Sequence, residues 1–91
     1  MLPARPRLAP KARIRHDRVT EREVLLAPEH ALFLSPSAAE VLALCEGRRS
    51  IEQIVCVLRA RHREVEPAAL RRDVEELLAA LATRGFVEDA G

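Results

Sequence analysis

Aromatic side chains are almost absent from this sequence of 91 residues, which has no Trp, no Tyr and only two Phe. A core without aromatics has to be filled by Leu, Val, Ile and Ala, and that composition favours helices over a β-sandwich. The length is sufficient for one modest core and leaves no room for a second domain. We therefore expect a single compact domain that is rich in helix.

Glycines and long apolar runs are also scarce. The three glycines, Gly47, Gly85 and Gly91, form no phosphate-binding loop. The longest apolar run, residues 77–82, is far too short to cross a membrane, and prolines near the N-terminus interrupt the apolar segment that a signal peptide needs. We expect a cytoplasmic protein that does not interact with a membrane.

Residues suited to catalysis or metal binding are few. Cys45 and Cys56 each lie within an apolar helical pattern, which predicts two buried, reduced thiols that act as small apolar residues. The three histidines, His16, His30 and His62, have no Cys, Asp or Glu at a spacing specific to metal ligands. No pattern pairs a nucleophile with a base. We expect no enzyme activity, no metal and no cofactor.

Charge is distributed unevenly along the chain, although the net charge is only +1. Residues 1–18 hold six basic side chains and one acidic side chain, whereas the remainder holds nine basic and thirteen acidic ones. Together with three prolines near the N-terminus, this predicts a flexible basic arm over residues 1–11 and one folded domain over residues 12–91. A folded body with net negative charge would be repelled by the phosphates of a nucleic acid.

Three short segments after the arm have the composition of strands. The pattern is weak over 13–19, stronger over Glu23–Ala27, and followed by a turn and a third strand over His30–Ser35. The short connections predict an antiparallel meander. The third strand carries apolar side chains on both faces and contains no Lys or Pro, the residues that usually protect a sheet edge. Such an edge could accept a guest strand or a second copy of the chain.

Three helices follow the strands, and local signals mark where each one begins. These signals are an N-cap with Pro, a capping box and an opening Pro, supplied by Ser35 and Pro36, by Ser50 and Gln53, and by Pro67. Gly47 and Gly85 are placed to end the first and third helices, and Phe86 can pack back onto the last turn. Three antiparallel strands followed by three helices predict an α+β fold of the winged helix-turn-helix type.

A winged helix-turn-helix fold suggests nucleic acid, but the third helix is poorly suited to that partner. Its three arginines are matched by three acidic residues, and its solvent face lacks side chains that read bases. We therefore expect no nucleic-acid partner. A DNA-binding regulator is the alternative, which salt-dependent binding to duplex DNA would favour, and a purely structural dimer paired through the third strand is a further possibility.

Several sequence motifs, taken in order, resemble one known family. The motifs are VLLAPE, LSPSA, VLALCEG, SIEQIV, DVEELLAAL and GFV, which begin at Val24, Leu34, Val41, Ser50, Asp73 and Gly85. Their order and spacing resemble the PqqD family of pyrroloquinoline quinone (PQQ) biosynthesis, over residues 5–87. Glu46 departs from the family pattern, which more often has Asp before this Gly.

The resemblance implies a non-catalytic peptide chaperone. Members of this family are recognition elements that bind a ribosomally made precursor peptide. They present it to a radical S-adenosylmethionine (SAM) enzyme, which cross-links a Glu and a Tyr of the peptide. The resemblance also implies that the peptide adds as an antiparallel strand beside the third strand, in a groove shared with the third helix. On this sequence the implied strand contacts are Ala31, Leu32, Phe33 and Leu34.

The sequence offers two flanks of the third helix as the other wall of this groove. On a helical wheel Leu78 lies at the edge of the buried stripe, beside Arg71 and Glu75, and this mixture of apolar and charged groups suits a peptide. Val74 belongs to the same candidate set, although ordinary core packing is the simpler explanation for it. The opposite flank, formed by Asp73, Ala80 and Arg84, is the rival.

Overall fold

A computed structural model describes residues 2–91, and Met1, the first residue of the predicted arm, lies outside them. The elements are β1 (Pro6–Leu8), β2 (Arg13–Asp17), β3 (Arg22–Ala27), β4 (His30–Leu34), α1 (Pro36–Ala43), α2 (Ile51–Arg61), α3 (Pro67–Thr83) and β5 (Val87–Asp89). The predicted α+β class is confirmed, with a three-stranded meander before three helices. Strands β1 and β5 were not predicted from the sequence.

The three predicted strands form one antiparallel sheet in the order β2-β3-β4. Their register places Val24 between Arg15 on β2 and Phe33 on β4. The first of these strands is shorter than predicted, because it ends at Asp17, whose carboxylate accepts a hydrogen bond from the Thr20 hydroxyl at 2.5 Å. Val19 therefore lies in the turn and is 91% exposed.

The two ends of the chain form a second, two-stranded sheet, which we call the terminal clasp. Strand β1 pairs with β5 in antiparallel register, from Pro6 opposite Asp89 to Leu8 opposite Val87. The guanidinium of Arg7 reinforces the pair, with Nε donating to the Glu88 carboxylate at 2.9 Å. The prediction of a flexible arm over residues 1–11 is therefore wrong for Pro6–Leu8, because a partner strand at the far end of the chain orders them.

Gly47 serves the terminal clasp and does not itself end α1, which already ends at Ala43. Its backbone has φ +84°, a conformation that residues other than Gly rarely adopt. A Cβ at this position would lie only 2.9 Å from the Cβ of Ala90, and the Gly47 N–H donates to the Pro6 carbonyl at 3.0 Å. Glycine is required here because of the positive φ and because the α1–α2 link passes directly against Ala90, the residue after β5.

The predicted helix starts are confirmed. Ser35 caps α1, its hydroxyl accepting from the Ala38 N–H at 3.1 Å. At the start of α2 both bonds of the capping box form: the Gln53 N–H donates to the Ser50 hydroxyl at 3.2 Å, and the Ser50 N–H donates to the Gln53 side chain at 2.8 Å. These bonds satisfy amide groups that would otherwise lack partners at a helix start.

Helix α3 begins and ends through local contacts. Pro67 opens it, and the Glu66 carboxylate caps it, a role that the sequence pattern did not reveal. At the other end Gly85 has φ +82°, and the N–H of Phe86 donates to the Leu81 carbonyl at 2.9 Å. This is the Schellman geometry expected of a Gly followed by an apolar residue.

The core lies between one face of the meander and the three helices. Its buried members come from every helix and from β3, β4 and β5, and they include Leu25, Leu34, Leu42, Ile54, Val55, Leu58, Val74, Leu78, Leu81, Phe86 and Val87. Full burial of one such side chain stabilises the fold by roughly 1.5–3 kcal/mol before conformational entropy is subtracted. The opposite face of the meander receives no helix.

The two cysteines differ in their surroundings. Cys45 is buried as predicted, its thiol donates to the Val41 carbonyl at 3.3 Å, and burial raises its pKa to about 12. Cys56 is exposed, so the prediction of a second buried thiol is wrong. The residue lies on the outer side of α2, between the buried positions Val55 and Leu58.

Candidate functional site

Strand β4 presents an open edge. It pairs with β3 on one side, and no strand within residues 2–91 pairs with it on the other. Leu34 is buried in the core, whereas Phe33 points to the opposite face and is 49% exposed. The strand contains no Asp, Glu, Lys, Arg or Pro. Its free backbone groups are therefore accessible to another extended chain.

A groove of about 300 Å³ opens where β4 ends, between α1 and the N-terminal half of α3. Most of the wall is apolar, and the lining residues are Ser35, Ser37, Ala38, Glu40, Val41, His62, Val65, Leu70, Asp73, Val74 and Leu77. An apolar groove next to a free strand edge can bind backbone and side chains of one extended peptide together.

Two carboxylates border the groove, and they differ in their partners. Nε2 of His62 lies 2.7 Å from Glu40, and an Arg61 guanidinium nitrogen lies 3.2 Å from the same carboxylate. The hydrogen bond with His62 is the main cause that lowers the pKa of Glu40. Asp73 on the facing wall has no ion-pair partner within residues 2–91. The groove thus holds one carboxylate without a compensating charge.

The flank of α3 that lines this groove is the one that the sequence analysis ranked second. Leu70, Asp73 and Leu77 face the groove, and further along α3 Arg84 stacks over the Phe86 ring at 5.4 Å. That ring lies 6.0 Å from the ring of His30, at the start of β4. The flank that lines the groove at the end of β4 therefore reaches the start of β4 at Arg84, through the ring of Phe86.

The flank predicted from the wheel faces a different element. Arg71 forms an ion pair with Glu52 of α2 and lies 3.7 Å from Glu75 on its own helix. Arg71 and Glu75 are thus engaged with α2 and with each other, and neither is among the residues that line the groove. A helical wheel gives the angle between side chains, but it does not say which neighbouring element lies at each angle.

Two further candidates lie in the interior. Leu78 is completely buried, so it has no surface to offer a ligand, and Val74 borders the groove while only 2% exposed. The structure thus keeps Ala31–Leu34 together on one open edge, while Val74 is the one predicted α3 residue among those that line the groove. The groove residues of α1, such as Ala38 and Val41, were missed because their apolar spacing predicted only core packing.

Two other features were sought in the part of the chain that is described, a metal site and a helix that could span a membrane. Among residues 2–91 no group of three or more His, Cys, Asp or Glu side chains is arranged to hold a metal ion. None of the helices in the same range is both long and apolar enough to cross a membrane.

These features define a small α+β domain with an open strand edge beside an apolar groove. The family model described as "Coenzyme PQQ synthesis protein D (PqqD)" matches residues 22–87. The chain belongs to the PqqD family, and the resemblance seen in the sequence is confirmed.

Individual relatives agree with this assignment. A "PqqA binding protein" from Rhodopseudomonas palustris (strain TIE-1) is 38% identical over 87 residues, which cover 96% of this chain and 84% of the relative. The solution structure of the PqqD part of PqqCD from Methylobacterium extorquens, described as a functional and stand-alone recognition element, is 37% identical. Its TM-score is 0.75, with coverage of 91% and 87% of the two chains.

A more distant structure shares the fold alone. Lasso peptide synthetase B1, solved in complex with the leader peptide, matches with a TM-score of 0.77 at 23% identity. The match covers 92% of this chain and 98% of the synthetase chain.

Proposed function

We propose that this chain is a non-catalytic peptide chaperone of PQQ biosynthesis. It binds the ribosomal precursor peptide of PQQ in the cytoplasm, as an added strand on β4, and presents it to the radical SAM enzyme of the pathway. The observation that carries the proposal is the open edge of β4 beside an apolar groove. The description of the fold as winged helix-turn-helix is part of the same proposal.

The relatives support a peptide ligand. The protein from Rhodopseudomonas palustris is named for binding PqqA, and the structure from Methylobacterium extorquens is that of a recognition element for ribosomally made, modified peptides. Both are well above 30% identical to this chain over most of its length. We therefore assign PqqA, the precursor peptide, as the ligand.

Binding energetics require both the strand edge and the groove. An added strand forms about four main-chain hydrogen bonds, each contributing roughly 0.5–1.5 kcal/mol net. Association costs an estimated 4–15 kcal/mol, so these bonds alone do not hold a peptide. Apolar side chains of the peptide must therefore enter the groove. Leu70 and Leu77 offer partly exposed apolar surface there, and the buried Val41 also lines the wall.

The groove also selects for charge. Because Glu40 is already paired with His62 and Arg61, Asp73 is the carboxylate that is free to bind a cation. A basic side chain of the peptide, flanked by apolar ones, would complement this wall. Arg71, which pairs with Glu52 and with Glu75, is left out of the proposed site together with Glu75. Leu78 is left out because it is buried.

Titration of PqqA into the ¹⁵N-labelled chain tests the site directly. We expect the amide signals of residues 31–34 and of Leu70, Asp73 and Leu77 to shift together at one affinity. A peptide of the same composition in shuffled order serves as the control. Shifts confined to α2 or to the terminal clasp would contradict the assignment.

Presentation to the enzyme needs a separate measurement. The chain alone should leave the mass of PqqA unchanged, while its addition to the radical SAM enzyme should raise the rate of Glu–Tyr cross-linking. Sedimentation of the chain alone tests the competing use of the β4 edge. A homodimer that PqqA dissociates would place both partners on one edge, whereas a stable dimer without peptide affinity would favour the purely structural role.

A further inference from the structure

The face of the meander that receives no helix is a second surface with a distinctive composition. Because side chains alternate along a strand, Val24 and Leu26 of β3 and Phe33 of β4 stand on the face opposite to the buried Leu25. Arg13, Arg15 and Arg22 stand on this same face. We call the six residues the outer sheet face. It joins a partly exposed apolar centre to an arginine border.

The arginines of this face are not neutralised within the chain. Among residues 2–91 no carboxylate lies within 4.0 Å of the guanidinium of Arg13, Arg15 or Arg22. The Arg22 guanidinium stacks over the Phe33 ring, 4.8 Å from its centre. The nearby carboxylate of Asp17 already accepts hydrogen bonds from Thr20 and Val19. The outer sheet face therefore carries a net positive charge available to a partner.

A peptide strand added to β4 would extend this surface. Successive side chains of an added strand point to opposite faces of the sheet. Half of them would face the helices and the groove, and the other half would stand beside Phe33 on the outer sheet face. A protein that binds the outer sheet face would therefore contact the bound peptide at the same time.

We infer that the outer sheet face docks the enzyme that modifies the bound peptide, through a patch on that enzyme that combines acidic and apolar side chains. The inference rests on the proposed function for the identity of the partner. Charge complementarity favours an acidic patch over a second copy of this chain, because two copies stacked through this face would bring like-charged arginines together.

Matched charge-reversal variants test this inference. Arg13→Glu with Arg15→Glu alters the outer sheet face, and Arg59→Glu with Arg63→Glu makes the same change of net charge at the end of α2. The affinity of each full-length variant for the purified radical SAM enzyme is measured with and without saturating PqqA. We expect the outer-face pair to weaken enzyme binding at least about tenfold and the α2 pair less than about twofold. PqqA affinity should stay within about twofold in both.

Equal enzyme affinities for the two double variants would overturn the docking face, since only overall charge would then matter. A salt-insensitive dimer of the wild-type chain that the outer-face pair dissociates would also overturn it. Val24→Thr, which keeps the shape and the strand propensity of Val, provides a second variant whose fold is retained. It should also weaken enzyme binding. If the wild-type chain binds the enzyme through this face but fails to bind PqqA, the proposed function fails and the docking face stands.

Discussion

The two edges of the meander are built in opposite ways. Strand β2, with the sequence RIRHD, carries four charged or titratable side chains in five residues, whereas β4, with HALFL, contains no acidic residue, Lys or Arg. Charged side chains on an edge strand discourage pairing with other chains. Neither edge is paired within residues 2–91, but charged side chains protect β2, which we call the closed edge, and none protect β4, the open edge beside the groove. The lack of protecting charges at the open edge follows from the sequence of β4 itself.

Side-chain contacts also link the closed edge to the neighbouring turn and to β3. His16 lies between two carboxylates, 3.0 Å from Glu21 and 3.2 Å from Glu23. The hydrogen bond with Glu21 is the main cause that raises the pKa of His16, and the bond with Glu23 adds to it. No comparable side-chain network holds Ala31–Phe33 within residues 2–91, so their polar backbone groups are the main feature that β4 offers.

The largest expected difference between the two edges concerns their anchoring in the core. Leu34 of β4 is 4% exposed, while Ile14 of β2 is only half-buried. We expect Leu34→Ala to lower the free energy of unfolding by about 2–5 kcal/mol and Ile14→Ala by less than about 2 kcal/mol, because only the first leaves a full cavity. Urea unfolding measures both. Equal losses would mean that the open edge is no better anchored than the closed one.

The next difference concerns peptide affinity. Phe33→Asp places a negative charge on the open edge, and Arg15→Asp replaces a positive charge with a negative one at the same register on the closed edge. We expect the first to weaken PqqA binding by about tenfold or more, which is about 1.4 kcal/mol, and the second by less than about twofold. Calorimetric titration of PqqA measures both affinities, and circular dichroism confirms that each variant is folded. Similar affinities would remove the functional distinction between the edges.

A smaller effect distinguishes the two flanks of α3. Leu70→Ala removes apolar surface from the groove, whereas Arg71→Ala removes the ion pair to α2. We expect Leu70→Ala to weaken PqqA binding about three- to tenfold, since part of its side chain would be covered by the peptide. Arg71→Ala should leave PqqA affinity within about twofold and lower stability by at most about 1 kcal/mol, the usual range for an exposed pair. The reverse order would restore the flank first favoured by the sequence.

The smallest expected effect is the pH response of the closed edge. The pKa of His16 is raised above 6.5 in the folded protein. The stabilisation from its two carboxylate contacts is therefore fully present below pH 6.5 and is lost as the pH rises through the pKa of the folded state. Titration of the imidazole signals by NMR measures the pKa. Glu21→Gln should bring it back towards 6.5, whereas Glu29→Gln in the β3–β4 turn should not. An unchanged value in Glu21→Gln would rule out the hydrogen bond as the cause.

The features that could be predicted from the sequence are those with local signals. Ser35, Ser50, Gln53 and Gly85 act within three or four residues of their own position, so a cap or a stop can be recognised without the rest of the fold. The same holds for β4, whose unprotected composition is visible in five consecutive letters.

The features that were missed depend on distant partners. Pro6–Leu8 becomes a strand only because Val87–Asp89 lies beside it, and nothing in the local sequence reports that pairing. The choice between the two flanks of α3 depends on distant partners in the same way, since Asp73 and Arg71 are equally polar and only the positions of α1 and α2 decide which one borders the groove. Cys56 was misplaced because one small apolar residue beside a buried stripe carries little information about its angle.

The terminal clasp also affects the order of folding. Arg7 and Glu88 meet across 81 residues of sequence, so closing this loop in a disordered chain costs about 4 kcal/mol of entropy by the logarithmic scaling of loop closure. Two three-residue strands cannot offset that cost alone. The meander and the helices, whose contacts are closer in sequence, must condense first and bring the ends together. We therefore expect the clasp to close last during folding and to open first in the native protein, leaving the β4 edge intact while the termini fray.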